Sequence, residues 1–119
     1  MVIIYAHGNS SDMSNSLMFV EGLSSHIDAT YVIFDYSGYG ESRVADVGEE
    51  VICKDLDIVL AWVTEFVSLK NVILWGFSLG TYPIVNAASK YEFGGVILQC
   101  PIASISCIFY EELHAEMEF

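Results

Sequence analysis

The pentapeptide GFSLG at residues 76–80 constrains the fold of this chain more than any other feature. The apolar run at 72–75 leads directly into it, and a helical pattern follows directly after it. A serine between two glycines at a strand-to-helix turn is typical of a nucleophile elbow, which lifts the serine hydroxyl out at the carboxyl edge of a sheet. The pentapeptide and its context together predict that Ser78 is a catalytic nucleophile.

The alternative for Ser78 is a structural role as a helix N-cap, for which serine is well suited. A cap explains neither Gly76 nor Gly80, whereas an elbow uses both because the backbone and the helix approach each other closely there. The N-terminus of the following helix also favours developing negative charge. We therefore prefer the nucleophile to the cap.

Short apolar runs along the chain predict a parallel sheet, since each is too short for a helix and none alternates with polar residues. These runs lie at 2–5, 31–34, 72–75 and 96–98. Unbroken apolarity is typical of strands that helices cover on both faces. Amphipathic helical patterns fall between the runs, at 13–27, 51–67 and 79–91. The sequence therefore predicts one α/β domain over 1–119, a three-layer sandwich with a mainly parallel sheet of about four strands.

Charge and composition exclude several kinds of partner. The chain has 16 acidic and 4 basic residues and a net charge of −12, which disfavours a surface that follows nucleic-acid phosphates. No apolar stretch is long enough to cross a bilayer. The three cysteines lack metal-ligand spacing and no phosphate-binding fingerprint is present. We expect no nucleic acid, no membrane span, no metal and no cofactor, with reduced thiols in a cytoplasmic setting.

The segment HGNS at residues 7–10, after the first strand, is a candidate oxyanion loop. Acyl transfer needs two donors aimed at the oxyanion, and backbone N–H groups fixed by tight turns supply them. We predict the N–H groups of Asn9 and Leu79 as these donors, with Gly8 allowing the turn to tighten. His7 is either a general base or a brace that holds the loop by hydrogen bonding. We favour the brace, because a base needs a geometry that sequence does not give.

A second glycine-rich segment, DYSGYGES at residues 35–42, follows the second strand. It lacks the lysine and the full glycine spacing of a phosphate-binding loop. We interpret it as a tight turn that lines the pocket, with its tyrosines as wall or packing.

Three motifs, HGNS, DYSGYGES and WGFSLGTYP, look like the α/β-hydrolase superfamily in their order and spacing. Within it, DYSGYG, GFSLGTYP and ASKYEFGGVILQCP are similar to the protein depalmitoylases and their relatives in the α/β-hydrolase-domain-containing group. The resemblance extends over about 2–102, the middle of a family member. It implies ester or thioester hydrolysis through an acyl-Ser78 intermediate, with the N–H groups of Asn9 and Leu79 as oxyanion donors. The implied substrate is a small-molecule or lipidated-protein acyl compound.

The chain departs from the family pattern at the other two triad positions. Family members carry an acid after the next strand and a histidine after the last. After Ser78 this chain has no aspartate, and its one histidine is His114 in the acidic tail at 111–118. His114 could act as the base only if the tail folded back, and we favour a solvated tail. We expect a domain truncated at both ends, and the alternative function is an impaired remnant that serves as a binding or assembly module.

The family's sheet order would place the second and fourth strands outermost. Exposed apolar edges recruit partner strands, so we also expect a homo-oligomer formed through a sheet edge or a swapped segment.

Overall fold

The computed structural model describes residues 1–42 and 48–106 and shows a parallel four-stranded sheet with connecting helices. The strands are β1 (Val2–Ala6), β2 (Thr30–Ile33), β3 (Val72–Phe77) and β4 (Gly95–Gln99). The helices are α1 (Met13–Ser24), α2 (Glu49–Val63) and α3 (Thr81–Ala88). The sheet order is β2-β1-β3-β4. The predicted α/β class and the outermost positions of β2 and β4 are confirmed.

The helices cover both faces of the sheet. Because successive side chains of a strand point to opposite faces of the sheet, the contacts of neighbouring strand residues show which helices lie on each face. Tyr5 of β1 and Trp75 of β3 both contact the Phe19 ring of α1, at centroid distances of 5.0 and 5.5 Å. Ile4 and Leu74 instead join the core cluster that contains α2 and α3 side chains. This alternation places α1 on one face and α2 with α3 on the other, which is the predicted sandwich.

The amphipathic pattern of α2 builds most of the second layer. Its buried residues recur at helical spacing and lie in the core cluster. They are Ile52, Leu56, Leu60 and Val63.

The predicted length of α2 was wrong, because the helix ends at Val63 and not at residue 67. The Glu65 and Phe66 N–H groups bond to carbonyls three residues back, so the chain tightens and leaves the helix. Phe66 consequently lies outside the buried stripe and is 69% exposed. The helix α1 likewise ends at Ser24, three residues before the predicted end at Ile27.

The fourth strand is also less covered than its apolar sequence predicts. Every residue of β1 is buried, whereas Val96, Ile97 and Leu98 of β4 are 41%, 39% and 40% exposed. The cause is position, since β4 pairs only with β3 and is the last strand of the described sheet. A strand that is apolar on both faces is thus left open at one edge.

Two further predictions have different outcomes. No helix in 1–42 or 48–106 is long and apolar enough to cross a bilayer. The acidic tail, with His114, lies outside the described residues.

Candidate active site

The predicted elbow stands where β3 meets α3. The strand ends at Phe77, a short 3₁₀ turn spans Ser78–Gly80, and α3 begins at Thr81. The backbone of Ser78 has φ 49°, in the left-handed region that non-glycine residues rarely adopt. An N-cap residue has extended backbone, and no side chain caps α3. The N-cap interpretation of Ser78 therefore does not describe this turn.

Close backbone packing accounts for both glycines of the pentapeptide. A Cβ on Gly76 would lie 2.6 Å from the Gly80 carbonyl oxygen and 2.8 Å from the Thr81 Cα. A Cβ on Gly80 would overlap the carbonyl group of Ala6 in β1. The elbow is thus pressed against both its own helix and the neighbouring strand, and only glycine fits at these two positions.

Thr81 is part of the elbow, although no role was predicted for it. Its buried Oγ1 donates to the Ser78 carbonyl oxygen at 2.6 Å and accepts from the Ile102 N–H at 3.2 Å. These bonds tie the carbonyl of the strained residue to the segment that follows β4. The signal was present in the motif GFSLGT, as a hydroxyl directly after the second glycine.

The loop at residues 7–12 meets the elbow from the end of β1. Its turn is closed by the Ser11 N–H, which donates to the Gly8 carbonyl at 3.2 Å. Asn9 is the second residue of this turn, so its N–H takes no part in the closing bond. A Cβ on Gly8 would lie 3.0 Å from the ring of Phe77, the residue before Ser78. The structure therefore brings the predicted oxyanion loop and the elbow into contact.

His7 is buried at the base of this loop, with 1% of its surface exposed. Its Nδ1 lies 2.8 Å from the Gly8 carbonyl oxygen, to which it donates. Its Nε2 lies 3.2 Å from Asp35 Oδ1, close enough for an ion pair when the ring is protonated, but the direction does not satisfy hydrogen-bond geometry. Both ring nitrogens thus face acceptors of the two loops, and this supports the brace over the general base.

The second glycine-rich segment holds the first. The Tyr36 hydroxyl donates to the His7 carbonyl at 2.7 Å, and the Tyr39 hydroxyl donates to Asn9 Oδ1 at 2.6 Å. Burial raises the pKa of Tyr36 well above its ordinary value, so this phenol stays a donor at neutral pH. The tyrosines were predicted as wall or packing, and their hydrogen bonds to the first loop are an addition.

Asp35 and Asp55 fix the two ends of this network. Asp35 Oδ1 accepts the Met13 N–H at 2.7 Å, which links the segment to the start of α1. Asp55 of α2 accepts the N–H and the hydroxyl of Ser37 at 2.7 and 2.8 Å. The second segment is therefore bonded to α1 and α2 as well as to the first loop.

The remaining histidine of the described chain lies elsewhere. His26 follows α1, close to the start of β2, and its exposed Nδ1 lies 2.8 Å from Ser25 Oγ. It is at the amino edge of the sheet, opposite the elbow. Among the described residues, no group of three or more His, Cys, Asp or Glu side chains is placed to hold a metal ion.

Comparison with known proteins adds three observations. Residues 1–111 match the sequence model of the α/β hydrolase fold family. Alpha/beta hydrolase domain-containing protein 17C of Mus musculus is 40% identical over 106 residues, which are 86% of this chain and 32% of that protein. The human protein 17B is 36% identical over 106 residues, 86% of this chain and 36% of its own length. The chain thus spans about a third of the curated relatives it matches.

A solved structure agrees with this match at the level of the fold. MenH from S. aureus superposes with a TM-score of 0.68 at 22% identity, covering 88% of this chain and 39% of that one.

Proposed function

We infer, because the chain belongs to the α/β hydrolase fold family, that it carries the nucleophile and the oxyanion donors of a serine hydrolase acting on ester or thioester bonds. The observation that carries this proposal is the backbone of Ser78, a non-glycine residue at φ 49° on the turn between β3 and α3. Strain of this kind persists only where surrounding contacts enforce it, and it clusters at functional sites. Here Gly76, Gly80 and Thr81 supply those contacts.

The proposed reaction has two steps. The Ser78 Oγ attacks the acyl carbonyl carbon while its proton passes to a general base, and the carbonyl electron pair moves onto oxygen. This oxyanion accepts hydrogen bonds from the N–H groups of Asn9 and Leu79. The bond to the alcohol or thiol then breaks, the leaving group takes a proton, and acyl-Ser78 forms. Water attacks the acyl-enzyme, releases the acid and regenerates the Ser78 hydroxyl.

Leu79 suits the role of the second donor. It lies in the first turn after the nucleophile, where backbone N–H groups have no partner within the helix. Its side chain is 3% exposed and packs in the core, which fixes its backbone against the sheet. A donor held in this way needs no rearrangement when charge develops.

Neither histidine of the described residues is placed to act as the general base for Ser78. Within 1–42 and 48–106, His7 is buried against Asp35 and His26 is at the opposite edge. Acylation without a base retains only the contribution of the oxyanion donors and of binding, orders of magnitude below a complete triad. We therefore propose slow acylation of Ser78 by this chain, unless His114 or a partner chain supplies the base.

The substrate proposal rests on the motifs DYSGYG and GFSLGTYP, which resemble those of the protein depalmitoylases. A thioester between an acyl chain and a protein cysteine is accordingly the proposed bond, in a reduced cytoplasmic setting. The free Cys53 and Cys100 are compatible with that setting.

A fluorophosphonate probe tests the nucleophile directly, because a serine at an oxyanion site is phosphonylated rapidly when a base activates it and only slowly when the base is missing. We expect slow labelling at long exposure, with the adduct on the peptide that contains Ser78. Ser78→Ala should abolish it. Ser14→Ala is the matched control, since Ser14 is an exposed serine of α1, and should label as the wild type does.

The outcome also separates the alternative function. An absence of labelling in the wild type after long exposure would favour a noncatalytic remnant that retains the fold for binding or assembly. Equal labelling of the wild type and Ser78→Ala would place the reactive group elsewhere and contradict the assignment of Ser78.

Self-association is a separate proposal that rests on β4. This outermost strand is apolar and exposed on both faces, and unpaired strand edges recruit further strands. We propose that two copies of the chain associate through this edge. Light scattering at micromolar concentration should report a mass above that of the monomer, and Ile97→Lys should reduce it; a monomeric wild type would refute the proposal.

A further inference from the structure

We propose that Tyr39 is a positioning residue of the oxyanion site, whose hydroxyl acts through the side chain of Asn9. The inference rests on the proposed function, because it assigns Asn9 as an oxyanion donor. Tyr39 is 30 positions from Asn9 in sequence, and its hydroxyl donates to Asn9 Oδ1 at 2.6 Å.

The bond from Tyr39 holds Asn9, whose N–H direction the hydrogen bond of the turn does not fix. The closing bond of the turn joins Ser11 to Gly8 and does not involve the Asn9 N–H. An N–H outside the closing bond is free to donate to a ligand, but its direction then depends on what fixes the peptide. The Asn9 side chain is attached directly to that peptide, and the Tyr39 hydroxyl holds the side chain in place by its hydrogen bond.

Tyr39 lies in a segment that backbone hydrogen bonds fold into tight turns. The Tyr39 N–H donates to the Tyr36 carbonyl at 2.9 Å, and the Tyr39 carbonyl accepts the Ser42 N–H at 2.9 Å. Gly38 and Gly40 have φ of 86° and 54°, values that let two successive turns fold tightly. These bonds and turns fold residues 36–42 into a compact segment, called the platform below.

The platform is also anchored to α2 and to the base of the first loop. Asp55 accepts two hydrogen bonds from Ser37, and the Tyr36 hydroxyl bonds to the His7 carbonyl. The ring of Tyr39 lies 5.5 Å from the His7 ring, centroid to centroid. The hydroxyl of Tyr39 therefore reaches Asn9 from a segment that is held both by α2 and by the base of the first loop.

Transition-state stabilisation is sensitive to such alignment. A displaced oxyanion donor costs on the order of a hundredfold to a thousandfold in rate, and a side chain that only orients the donor contributes a part of that. We expect Tyr39→Phe to slow phosphonylation of Ser78 by roughly tenfold, since it removes the hydroxyl and keeps the ring. The probe's reversible binding constant should stay unchanged while the rate of the covalent step falls.

The matched control is Tyr82→Phe. This substitution also removes a tyrosine hydroxyl that donates to a surface partner, Glu49 Oε2 at 3.2 Å, but Tyr82 lies on α3 away from the first loop. It should label within about twofold of the wild type. A double variant supplies the second control: in an Asn9→Ala background, Tyr39→Phe should produce no further slowing, because the side chain through which it acts is gone.

Amide hydrogen exchange gives a readout that does not need activity. The Ser11 N–H, which closes the turn, should exchange several-fold faster in Tyr39→Phe than in the wild type or in Tyr82→Phe. If the wild type were labelled and Tyr39→Phe were labelled at the same rate, the inference about Tyr39 would be overturned and the proposed function would stand. Additive slowing in the Asn9→Ala background would overturn it as well. If no variant were labelled, the proposed function would fail, and unchanged Ser11 exchange would then reject the ordering role of Tyr39 separately.

Discussion

Two glycine-to-alanine substitutions should act in opposite directions, and the contrast tests whether the elbow is held by backbone packing. An alanine Cβ at Gly76 would lie 2.6 Å from the Gly80 oxygen and 2.8 Å from the Gly80 carbonyl carbon and the Thr81 Cα. Ordinary contact begins at 3.4 Å, so the turn would have to move by roughly 0.8 Å. All three neighbours are backbone atoms, which cannot swing aside as a side chain can.

The cost follows from this displacement. Overpacking of a fitted site typically destabilises by about 1–3 kcal/mol, and the shift would also disturb Ser78 two residues later. For a chain of this size we expect Gly76→Ala to lower Tm by roughly 4–12 °C and to slow probe labelling of Ser78 by at least roughly tenfold.

Gly22 provides the matched control within the same chain. It lies inside α1 and is exposed, and a Cβ added there would meet no atom within 4 Å. Alanine favours a helix interior over glycine by about 0.5–1 kcal/mol, so Gly22→Ala should raise Tm by about 2–4 °C and leave labelling unchanged.

Urea and thermal unfolding followed by tryptophan fluorescence would measure both variants, since Trp75 directly precedes Gly76. A Gly76→Ala chain with a midpoint equal to or above that of the wild type would refute the packing account of the elbow. A lowered midpoint of Gly22→Ala would contradict only the gain expected in α1.

Three other changes test separate parts of the structure. Burial, and after it the nearby tyrosines and carboxylates, raises the pKa of Tyr36 well above its ordinary 10.0. Tyr36 therefore ionises in the unfolded chain before it does so in the folded one, and the free energy of unfolding should fall as pH rises above about 10. Urea titrations from about pH 9 to 11 should show a shallower fall for Tyr36→Phe than for the wild type. Leu56→Ala should reduce the free energy of unfolding by about 2–5 kcal/mol in urea, because Leu56 is fully buried between α2 and the sheet, and a loss below about 1 kcal/mol would contradict that placement. Thr81→Val should lower the free energy of unfolding by about 1–3 kcal/mol and slow labelling of Ser78, since it leaves the Ser78 carbonyl and the Ile102 N–H without their partner. Thr81→Ser keeps the hydroxyl and should retain most of the stability and most of the labelling rate.

The order of elements could be predicted from sequence because it depends on local patterns. Apolar runs bounded by turn residues predicted all four strands, and the stripe of Ile52, Leu56 and Leu60 predicted α2. The helix ends were less predictable. Phe66 continues the helical pattern of α2, yet the backbone bonds tighten before it, and this choice depends on the packing of the turn rather than on residue type.

The elbow was predictable for the same local reason, since its strand, glycines and helix adjoin in sequence. His7 was predicted to brace the proposed oxyanion loop, but the hydrogen bonds from Tyr36 and Tyr39 to that loop could not be predicted. Tyr36 and Tyr39 contact residues 29 and 30 positions away, and which tyrosine reaches which partner depends on how the loops after β1 and β2 face each other. Adjacent parallel strands predict that the loops are near, but the direction of each hydroxyl is set by the two tight turns at Gly38 and Gly40.

The contacts that hold Ser78 in its strained backbone all come from described parts of this chain. Gly76 and Gly80 allow the close approach, Thr81 binds the carbonyl, and the first loop packs against Phe77. None of these contacts involves a general base, so the geometry of the nucleophile does not depend on one. We therefore propose that formation of the oxyanion site and activation of Ser78 are separable. The first predicts slow, Ser78-specific labelling, whereas multiple turnover needs a proton acceptor, and of the histidines in 1–42 and 48–106 neither His7 nor His26 is placed to provide it.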